Sequence, residues 1–445
     1  MVGGGLGRKL LKKYKYHVVV LSIMSPEVQH AKNALHNGHS LFAFRNKKGI
    51  ILRNDVLDPD AYLPPVLIGR EDQIDELAYH MSPLFQKGIP NNALIFGPTG
   101  CGKTATTQYV LNALDEELIQ DPVDVDVVHT CLSCKEVYTT NAILYKLIQF
   151  LEPDTKIKRS GYSMDYYYEE LYSRMNLQNK SLIVILDEID FMKKYDILYS
   201  FSRAISSGKF VGKRFIRIIG ISNSRKFEER LDPRILSSVG FEKYRFPSYS
   251  MDNIYHILKD RIDLALVPDS IDDDTVLVCA QNSAKTGGDI RKALNVLQAA
   301  AMAVEREGSD KITVDHIKAA EEKVQSKNII NAVLELPLHH RIVLMSVLKF
   351  KYKPEHSTTG NVTSMYEALC EKLGETPSVR QTVTDWITSL DMQGYVTTIK
   401  VNKKGKTRMI SIPDNEIVQT EKALFEDDQL ENLRNFNPVL EGVKL

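Results

Sequence analysis

The amino-acid sequence predicts an α/β domain with a parallel sheet, followed by an all-helical domain and then a helical domain that ends in a β-hairpin. Short, continuous apolar runs alternate with helical patterns between residues 92 and about 250, which is typical of parallel strands covered on both faces. The pattern becomes all-helical from residue 252 to about 326, and a Leu336-Pro337 pair then opens a region that ends in two strands. At 445 residues the chain is too long for one core.

The overall composition is that of an ordinary water-soluble protein, with 43% hydrophobic and 26% charged residues. The five cysteines are irregularly spaced, and the pair Cys131 and Cys134 has no further metal ligands nearby. We therefore expect reduced thiols and a cytoplasmic protein. The apolar run at residues 17–24 is far shorter than the ~20 residues that a membrane-spanning helix needs, so no membrane contact is expected.

The first strand of the α/β domain, ALIF, leads into GPTGCGKT at residues 97–104, which fits the pattern G-x-x-x-x-G-K-[ST]. A helical segment follows, so successive backbone N–H groups should form an anion site at a helix N-terminus. Lys103 is expected to reach the β- and γ-phosphates of ATP or ADP, and the Thr104 hydroxyl to ligate Mg²⁺. The nucleotide-binding loop is predicted to comprise Gly97, Pro98, Thr99, Gly100, Cys101, Gly102, Lys103, Thr104 and Ala105.

Two acidic residues follow a second buried strand in the segment IVILDEID. Asp187 and Glu188 should lie at the carboxyl end of that strand, where ligands bind in open α/β sheets. Asp187 is predicted to bind Mg²⁺, directly or through water, and Glu188 to act as the general base for an attacking water. A third strand, RIIGISNS, ends at Asn223, whose amide could orient that water. The alternatives are two solvated acids and a turn-forming asparagine.

These motifs in this order resemble the AAA+ ATPases, and the segments around them narrow the resemblance. LIGREDQIDEL precedes the nucleotide-binding loop, and LDPRILSS, FPSYSMDNIYHILKDR and TGGDIRKALNVL follow it. Together they closely resemble the archaeal DNA replication initiators, homologues of origin recognition complex subunit one and of the cell-division-cycle protein six helicase loader. The resemblance extends from about residue 57 to residue 412.

The resemblance implies that further residues contact the nucleotide. In the family, the segment before the loop cups adenine with its backbone, and here it corresponds to Ile68, Gly69 and Arg70. Tyr249 and Arg261 match a nucleotide-contacting pair at the start of the helical lid domain.

Two more arginines receive a role from the resemblance. Arg291 corresponds to an arginine that the lid projects onto the γ-phosphate; the alternative is a side-chain pair with Asp289. Arg234 lies where an arginine finger would reach the nucleotide of a neighbouring subunit, which can accelerate hydrolysis by ~10³–10⁵. Its alternative is a surface ion pair with Asp232 or Glu228.

The third region carries a local excess of positive charge. Between Asn331 and Pro413 there are eleven lysines and arginines against seven acidic residues, whereas the whole chain has 57 of each. A helix, SMYEALCEKL, is predicted to end at Gly374, and a second to begin with Thr376 as N-cap and Pro377 at its first position. In the second helix, residues at helical spacing are predicted to face a core: Val379, Val383, Trp386, Ile387 and Leu390.

Two strands, YVTTIKV and KTRMISI, flank the turn NKKG, so the region is predicted to be a winged helix-turn-helix. Its second helix would enter the major groove of duplex DNA, and its hairpin would lie on the backbone or in the minor groove. Arg380 and Gln381 could touch base edges from the outer face of the helix, beside Thr384. The hairpin cations predicted to contact phosphates are Lys403, Lys404, Lys406 and Arg408. The alternatives are a solvated hairpin and a winged helix used for protein contact.

The predicted fold class is an α/β P-loop AAA+ domain with a parallel sheet between helices, a small all-helical lid domain and a C-terminal winged-helix domain. The predicted boundaries are a partly disordered N-terminal extension (1–56), the AAA+ domain (57–250), the lid (251–328), the winged-helix domain (329–413) and a C-terminal tail (414–445).

The predicted function is that of an ATP-regulated replication initiator with slow hydrolysis that binds double-stranded origin DNA and helps to recruit or load the replicative helicase. The resemblance implies the helicase and homologous initiator subunits as partners, and a nucleoid-associated cytoplasmic location. One alternative is a DNA-binding regulator for which ATP is a structural ligand with little or no hydrolysis. Another is a signalling ATPase whose winged helix packs against its own nucleotide domain.

Overall fold

The parallel sheet forms the centre of the α/β domain. The structure is a computed structural model that describes residues 49–123, 126–402 and 406–438. In these ranges five strands pair in parallel in the order β2-β3-β4-β1-β5. The strands are β1 (Ala93–Phe96), β2 (Asp126–Ser133), β3 (Lys180–Asp187), β4 (Ile216–Ser222) and β5 (Glu242–Arg245).

Both faces of the sheet are buried, as its continuous apolar strands predict. Along β3, Leu182 and Val184 belong to one hydrophobic core, whereas Ile183 and Ile185 belong to the core on the opposite face. The polar edge strand β5 has no such run and is not predicted by apolar patterning. The helices of this domain are α2 (Glu71–Met81), α3 (Lys103–Gln120), α4 (Thr140–Leu151), α5 (Met164–Leu177), α6 (Asp196–Arg203) and α7 (Pro233–Val239), and α1 (Asn54–Leu57) precedes them.

The lid consists of α8 (Met251–Ala265), α9 (Asp273–Lys285), α10 (Ile290–Glu307) and α11 (Val314–Leu334). The chain before the sheet is attached to it, because the Leu52 N–H donates to the Ala265 carbonyl at 2.7 Å and Gln298 donates to the Asn54 side chain at 3.1 Å. Two predicted boundaries therefore differ from the structure. Position 56/57 falls inside α1, whose Val56 and Leu57 are fully buried, and position 328/329 falls inside α11.

The winged-helix region consists of α12 (Leu338–Leu348), α13 (Thr359–Leu373), α14 (Arg380–Met392), the antiparallel strands β6 (Thr397–Asn402) and β7 (Lys406–Ser411), and α15 (Ile417–Glu426). As predicted, α13 ends at Gly374 in a left-handed conformation, with φ 75°. Of the apolar positions predicted to face a core from α14, Val383, Ile387 and Leu390 are buried.

The predicted start of α14 is wrong. The helix begins at Arg380, with Val379 as N-cap, and not at Pro377 after a Thr376 cap. The Tyr366 hydroxyl accepts the Ser378 N–H at 3.2 Å, which fixes an extended approach to the helix. Val379 is consequently 71% exposed and does not face a core.

The segment after Pro413 also differs from the predicted tail. Helix α15 and the turn after it place Ala423, Leu424, Leu430 and Leu433 in the same core as α12 to α14. Asp427 pairs with Arg341 at the start of this region. The acidic residues of this segment can be read directly from the sequence, and they suggest a solvated tail. Its apolar residues find a surface to pack against only in the folded domain, where α12 and α13 form the core. In the described ranges, no helix combines the length and apolar character that would let it cross a bilayer.

Candidate nucleotide and DNA sites

The nucleotide-binding loop lies where the sequence predicts it, between the end of β1 and the start of α3. Gly100 and Gly102 adopt positive φ angles of 69° and 80°. A Cβ atom at Gly100 would lie 1.7 Å from Oδ1 of Asp289 in the lid. The loop therefore requires glycine at this position for its backbone conformation and for the close approach of the lid.

Lys103 is buried, and its ammonium group donates hydrogen bonds to oxygen atoms of the loop and of Asn223. Its Nζ donates to the carbonyls of Gly97 at 2.9 Å and Pro98 at 2.7 Å, and to Oδ1 of Asn223 at 2.9 Å. Burial lowers the pKa of Lys103. The structure thus brings together the predicted lysine, at the start of α3, and the predicted asparagine, directly after β4.

The two predicted magnesium ligands are in direct contact. The Thr104 hydroxyl donates to Oδ2 of Asp187 at 2.8 Å. Mg²⁺ is commonly held by one or two protein oxygens together with substrate phosphates and water, so this pair fits the ion. Glu188 follows with φ 52°, and its Oε2 lies 3.5 Å from the Ser133 hydroxyl.

Asp190 is a functional candidate that the sequence reasoning misses. Its carboxylate accepts hydrogen bonds from the Ser222 hydroxyl at 2.9 Å and from the Asn223 N–H at 2.9 Å. It therefore sets the backbone orientation from which the Asn223 amide projects. Its position as the third acid in DEID is the signal that could have found it.

A cavity of about 440 Å³ lies between the nucleotide-binding loop and the lid. Its lining combines apolar side chains with the charged groups described above. The apolar lining residues include Leu63, Pro64, Val66, Leu67, Ile68, Ile257 and Leu294. The predicted residues that line it are Ile68, Thr99, Gly100, Cys101, Gly102, Lys103, Thr104, Ala105, Asp187, Glu188, Asn223, Tyr249, Arg261 and Arg291.

The Arg70 side chain lies beside the cavity and not in its lining. In the described part of the chain, Ile68 lines the cavity, whereas Gly69 and Arg70 do not. The buried Arg70 guanidinium donates to the carbonyls of Cys101 at 2.8 Å and Pro247 at 2.7 Å, and lies 3.7 Å from the centre of the Tyr249 ring. It connects the nucleotide-binding loop to the start of the lid.

Arg261 is a buried cation whose hydrogen-bonding capacity is largely unused. The residue is 5% exposed, and its guanidinium lies 4.4 Å from the centre of the Tyr62 ring. Nε and Nη1 have no hydrogen-bond partner within the described ranges. Burial lowers the pKa of Arg261. Because buried charges normally have partners, a cation of this kind in a cavity wall fits an anionic ligand. Tyr62 is a second contact that sequence reasoning does not identify.

The two remaining arginines lie in different surroundings. Arg291 lines the cavity, and its Nε lies 3.9 Å from Oδ1 of Asp60. Its backbone N–H, and not its side chain, donates to Asp289, which caps α10. Arg234 is outside the cavity lining, with an 87% exposed side chain, and forms the surface ion pair with Asp232 at 3.1 Å.

The predicted base-contacting side chains lie on the exposed face of α14. Gln381 donates to Asp385 at 3.0 Å, Arg380 lies 3.7 Å from Glu367, and the Thr384 hydroxyl donates to the Arg380 carbonyl at 2.9 Å. These contacts are exposed, so a competing ligand could replace them at little cost.

Side-chain hydrogen bonds attach the hairpin to α14. Nη1 of Arg408 donates to the Thr388 hydroxyl at 3.0 Å, and the Thr398 hydroxyl donates to Asp391 at 2.7 Å. Arg408 lies directly opposite Lys400 across the hairpin, which is an unfavourable pairing unless an anion lies nearby. Of the other predicted cations, Lys403 and Lys404 lie outside the described residues. Lys406 is the first residue of β7.

Together, the parallel sheet, the P-loop, the lid and the winged helix define an AAA+ protein with a C-terminal winged-helix domain. Family profiles match the same three parts: an AAA domain at residues 90–213, a Cdc6 AAA+ ATPase-type lid domain at 255–322, and the C-terminal winged-helix domain of CDC6 at 331–420. The chain belongs to the family of ORC1-type DNA replication proteins.

The curated relatives share this organisation over most of their length. The chain is 36% identical to ORC1-type DNA replication protein 1 of Archaeoglobus fulgidus over 391 residues, which cover 87% of this chain and 93% of the relative. It is 35% identical to the protein of the same name from Sulfurisphaera tokodaii, over 85% of this chain and 94% of the relative.

Solved structures agree with this assignment. The Aeropyrum pernix ORC1 protein, determined in complex with DNA, has a TM-score of 0.76 and 30% identity, covering 87% of this chain and 100% of that chain. The Aeropyrum pernix ORC2 protein, determined as ADPNP–ADP complexes, has a TM-score of 0.55 and 20% identity, covering 84% and 98%. The second similarity concerns the fold.

Proposed function

We propose that this protein is an ATP-regulated DNA replication initiator that binds double-stranded origin DNA and helps to recruit or load the replicative helicase. The observation that carries the proposal is the cavity lined by both the AAA+ domain and the lid, which contains the buried cations Lys103 and Arg261. The same chain carries a cationic hairpin attached to an exposed helix. The replication role of its relatives supports the assignment.

ATP or ADP is the proposed ligand of the cavity. The apolar lining residues would receive the base, and the loop N–H groups, Lys103 and Arg261 would hold the phosphates. Thr104 and Asp187 would hold Mg²⁺, which neutralises phosphate charge when it is bound. Glu188 would accept a proton from the attacking water, and Asn223, oriented by Asp190, would position that water.

Slow hydrolysis in a single chain is part of the proposal. Arg234 projects into solvent outside its own cavity, so it is available to the nucleotide of a homologous initiator subunit. The rate of hydrolysis would then rise when the subunits assemble. We further propose that the protein is cytoplasmic and associates with the nucleoid.

Duplex DNA is the proposed partner of the winged helix. Arg380, Gln381 and Thr384 would face the major groove from α14, while Lys400 and Arg408 lie on one face of the hairpin. Arg408 also contacts α14 through Thr388, so the helix and the hairpin would engage the duplex as one unit. Phosphate contacts of this kind position the protein, whereas base contacts specify the sequence.

The direct test is retention of duplex DNA by the purified full-length chain with ATP at low salt. We expect binding whose affinity falls steeply as salt rises, because each neutralised phosphate releases counterions. Failure to retain any duplex under these conditions would overturn the proposal. Sequencing DNA recovered with the protein from cells would then identify the sites.

The alternative of a winged-helix regulator with ATP as a structural ligand is favoured by one observation: Arg234 lies outside the lining of its own cavity and pairs with Asp232. Glu188→Gln distinguishes the two functions, since it should abolish turnover while leaving ATP bound. An initiator should change its DNA occupancy when hydrolysis is blocked, whereas a regulator should not.

A further inference from the structure

We propose that Asp60 sets how strongly the site prefers ATP over ADP, by competing with the γ-phosphate for Arg291. This inference rests on the proposed function, because it assumes that the cavity binds nucleotide. Asp60 and Arg291 line the same cavity, and Oδ1 and Nε of the two side chains lie 3.9 Å apart. The γ-phosphate is the part of ATP that ADP lacks, so a residue that competes with it changes the affinity for ATP alone.

The surroundings of Arg291 favour an acidic partner. Burial lowers the pKa of Lys103 most, and the nearby positive charge of Arg291 lowers it further. Two cations at one phosphate site repel each other, and the Asp187 carboxylate opposes this effect at Lys103. Asp60 offsets this repulsion on the solvent side, where Arg291 is 50% exposed and Asp60 is 79% exposed.

Asp60 belongs to the same structural unit as the lid helices. Its N–H donates to Asp58 at 2.9 Å, which fixes the local backbone. Just before it, the chain is hydrogen-bonded to Ala265 and Gln298 of the lid, and just after it the Tyr62 ring contacts Arg261. Both members of the Asp60–Arg291 pair are therefore anchored to the lid, and the pair can persist until a γ-phosphate displaces the carboxylate.

The expected size of the effect follows from the exposure of the pair. Exposed ion pairs change equilibria by about two- to five-fold. Removing the carboxylate should therefore tighten ATP binding by about that factor. The affinity for ADP should stay unchanged, because ADP does not need Arg291 to leave Asp60.

The experiment compares Kd values for ATP and ADP in wild type and Asp60→Asn, using the full-length chain. Asp58→Asn is the matched control, since it removes a neighbouring charge, retains a side-chain acceptor and lies outside the cavity lining. We expect Asp60→Asn to raise the ATP preference by about two- to five-fold and the control to leave it unchanged.

The Arg291→Ala background supplies the second readout. If Asp60 acts through Arg291, Asp60→Asn should have no effect on either nucleotide once Arg291 is absent. Equal tightening of ATP and ADP, no change in the ratio, or a shift that persists in Arg291→Ala would each overturn the inference while leaving the proposed function intact. A wild-type chain that binds neither nucleotide would overturn both.

Discussion

Two buried cations of the nucleotide cavity differ in how their charge is compensated. Lys103 donates to three oxygen atoms, whereas Nε and Nη1 of Arg261 have no partner within the described residues. A buried charge without hydrogen bonds destabilises the protein, and a ligand that supplies those bonds recovers the cost. Without a ligand, the buried Arg261 should therefore lower the stability of the folded protein.

This difference predicts opposite effects of Arg261→Met on the free and the nucleotide-bound protein. The free energy of unfolding without nucleotide should stay unchanged or rise by about 1 kcal/mol, because an apolar side chain of similar length replaces an unpaired charge. The stabilisation produced by ATP should fall. Thermal unfolding with and without ATP measures both. A variant that is destabilised without nucleotide yet fully stabilised by ATP would contradict the proposed role.

Helix α14 and the β6–β7 hairpin form a connected pair of elements. The Arg408–Thr388 and Thr398–Asp391 contacts help to position the hairpin relative to the helix. Arg408 consequently has two proposed roles. Its charge would bind phosphate, and its hydrogen bond to Thr388 holds the hairpin against α14. The two roles can be separated by experiment.

The pair Thr388→Val and Arg408→Ala separates these roles. Thr388→Val removes the hydrogen bond to Arg408 without changing charge. It should weaken DNA binding about five-fold, equivalent to about 1 kcal/mol. The slope of log affinity against log salt concentration should stay unchanged. Arg408→Ala should weaken binding to all duplex sequences and lower the slope by ~1. Titrations over a range of salt concentrations measure both values. A changed slope in Thr388→Val, or a sequence-selective loss in Arg408→Ala, would contradict the assignment.

The ends of these helices also show which features local sequence patterns can predict and which they cannot. The glycine C-cap of α13 was predictable, because the left-handed conformation at Gly374 depends on one residue. The start of α14 was not, because the Thr376-Pro377 signal competes with a hydrogen bond from Ser378 to Tyr366, twelve residues earlier. A tertiary contact overrides a capping preference of about 1 kcal/mol.

At the scale of the whole molecule, the nucleotide cavity joins parts that are far apart in the chain. Its walls come from the 59–68 segment, the loop before α3, the ends of β3 and β4, and the lid helices α8 and α10. A ligand that contacts all of them stabilises them together, by about 2.7 kcal/mol at a hundred times its Kd.

Hydrogen exchange tests this coupling. With ATP we expect slower amide exchange in the loop around Lys103 and also in α8 and α10, because both sides of the cavity contact the ligand. The core of α12, α13 and α15 should exchange at an unchanged rate. Lys103→Ala is the control in which ATP should protect neither side. Protection confined to the nucleotide-binding loop would show that the lid does not participate.

The candidate site was predictable wherever a residue follows directly from a strand or a motif. Asp187 ends β3, Glu188 follows it, and Asn223 directly follows β4, and parallel strands bring their carboxyl ends to one edge. Asp190, Tyr62 and Asp60 were missed because each acts through a contact with a residue distant in sequence. No local pattern encodes such a contact.

By itself, the sequence determined the order of the domains, the P-loop and the charged hairpin, because periodicity, glycine positions and charge are local properties of the chain. Only the tertiary structure decided that Arg70 connects two segments, that Arg291 faces Asp60, and that the chain after Pro413 belongs to the winged-helix core. The physical reason is that each of these depends on which buried or charged groups are brought together by packing. That outcome is a property of the whole fold.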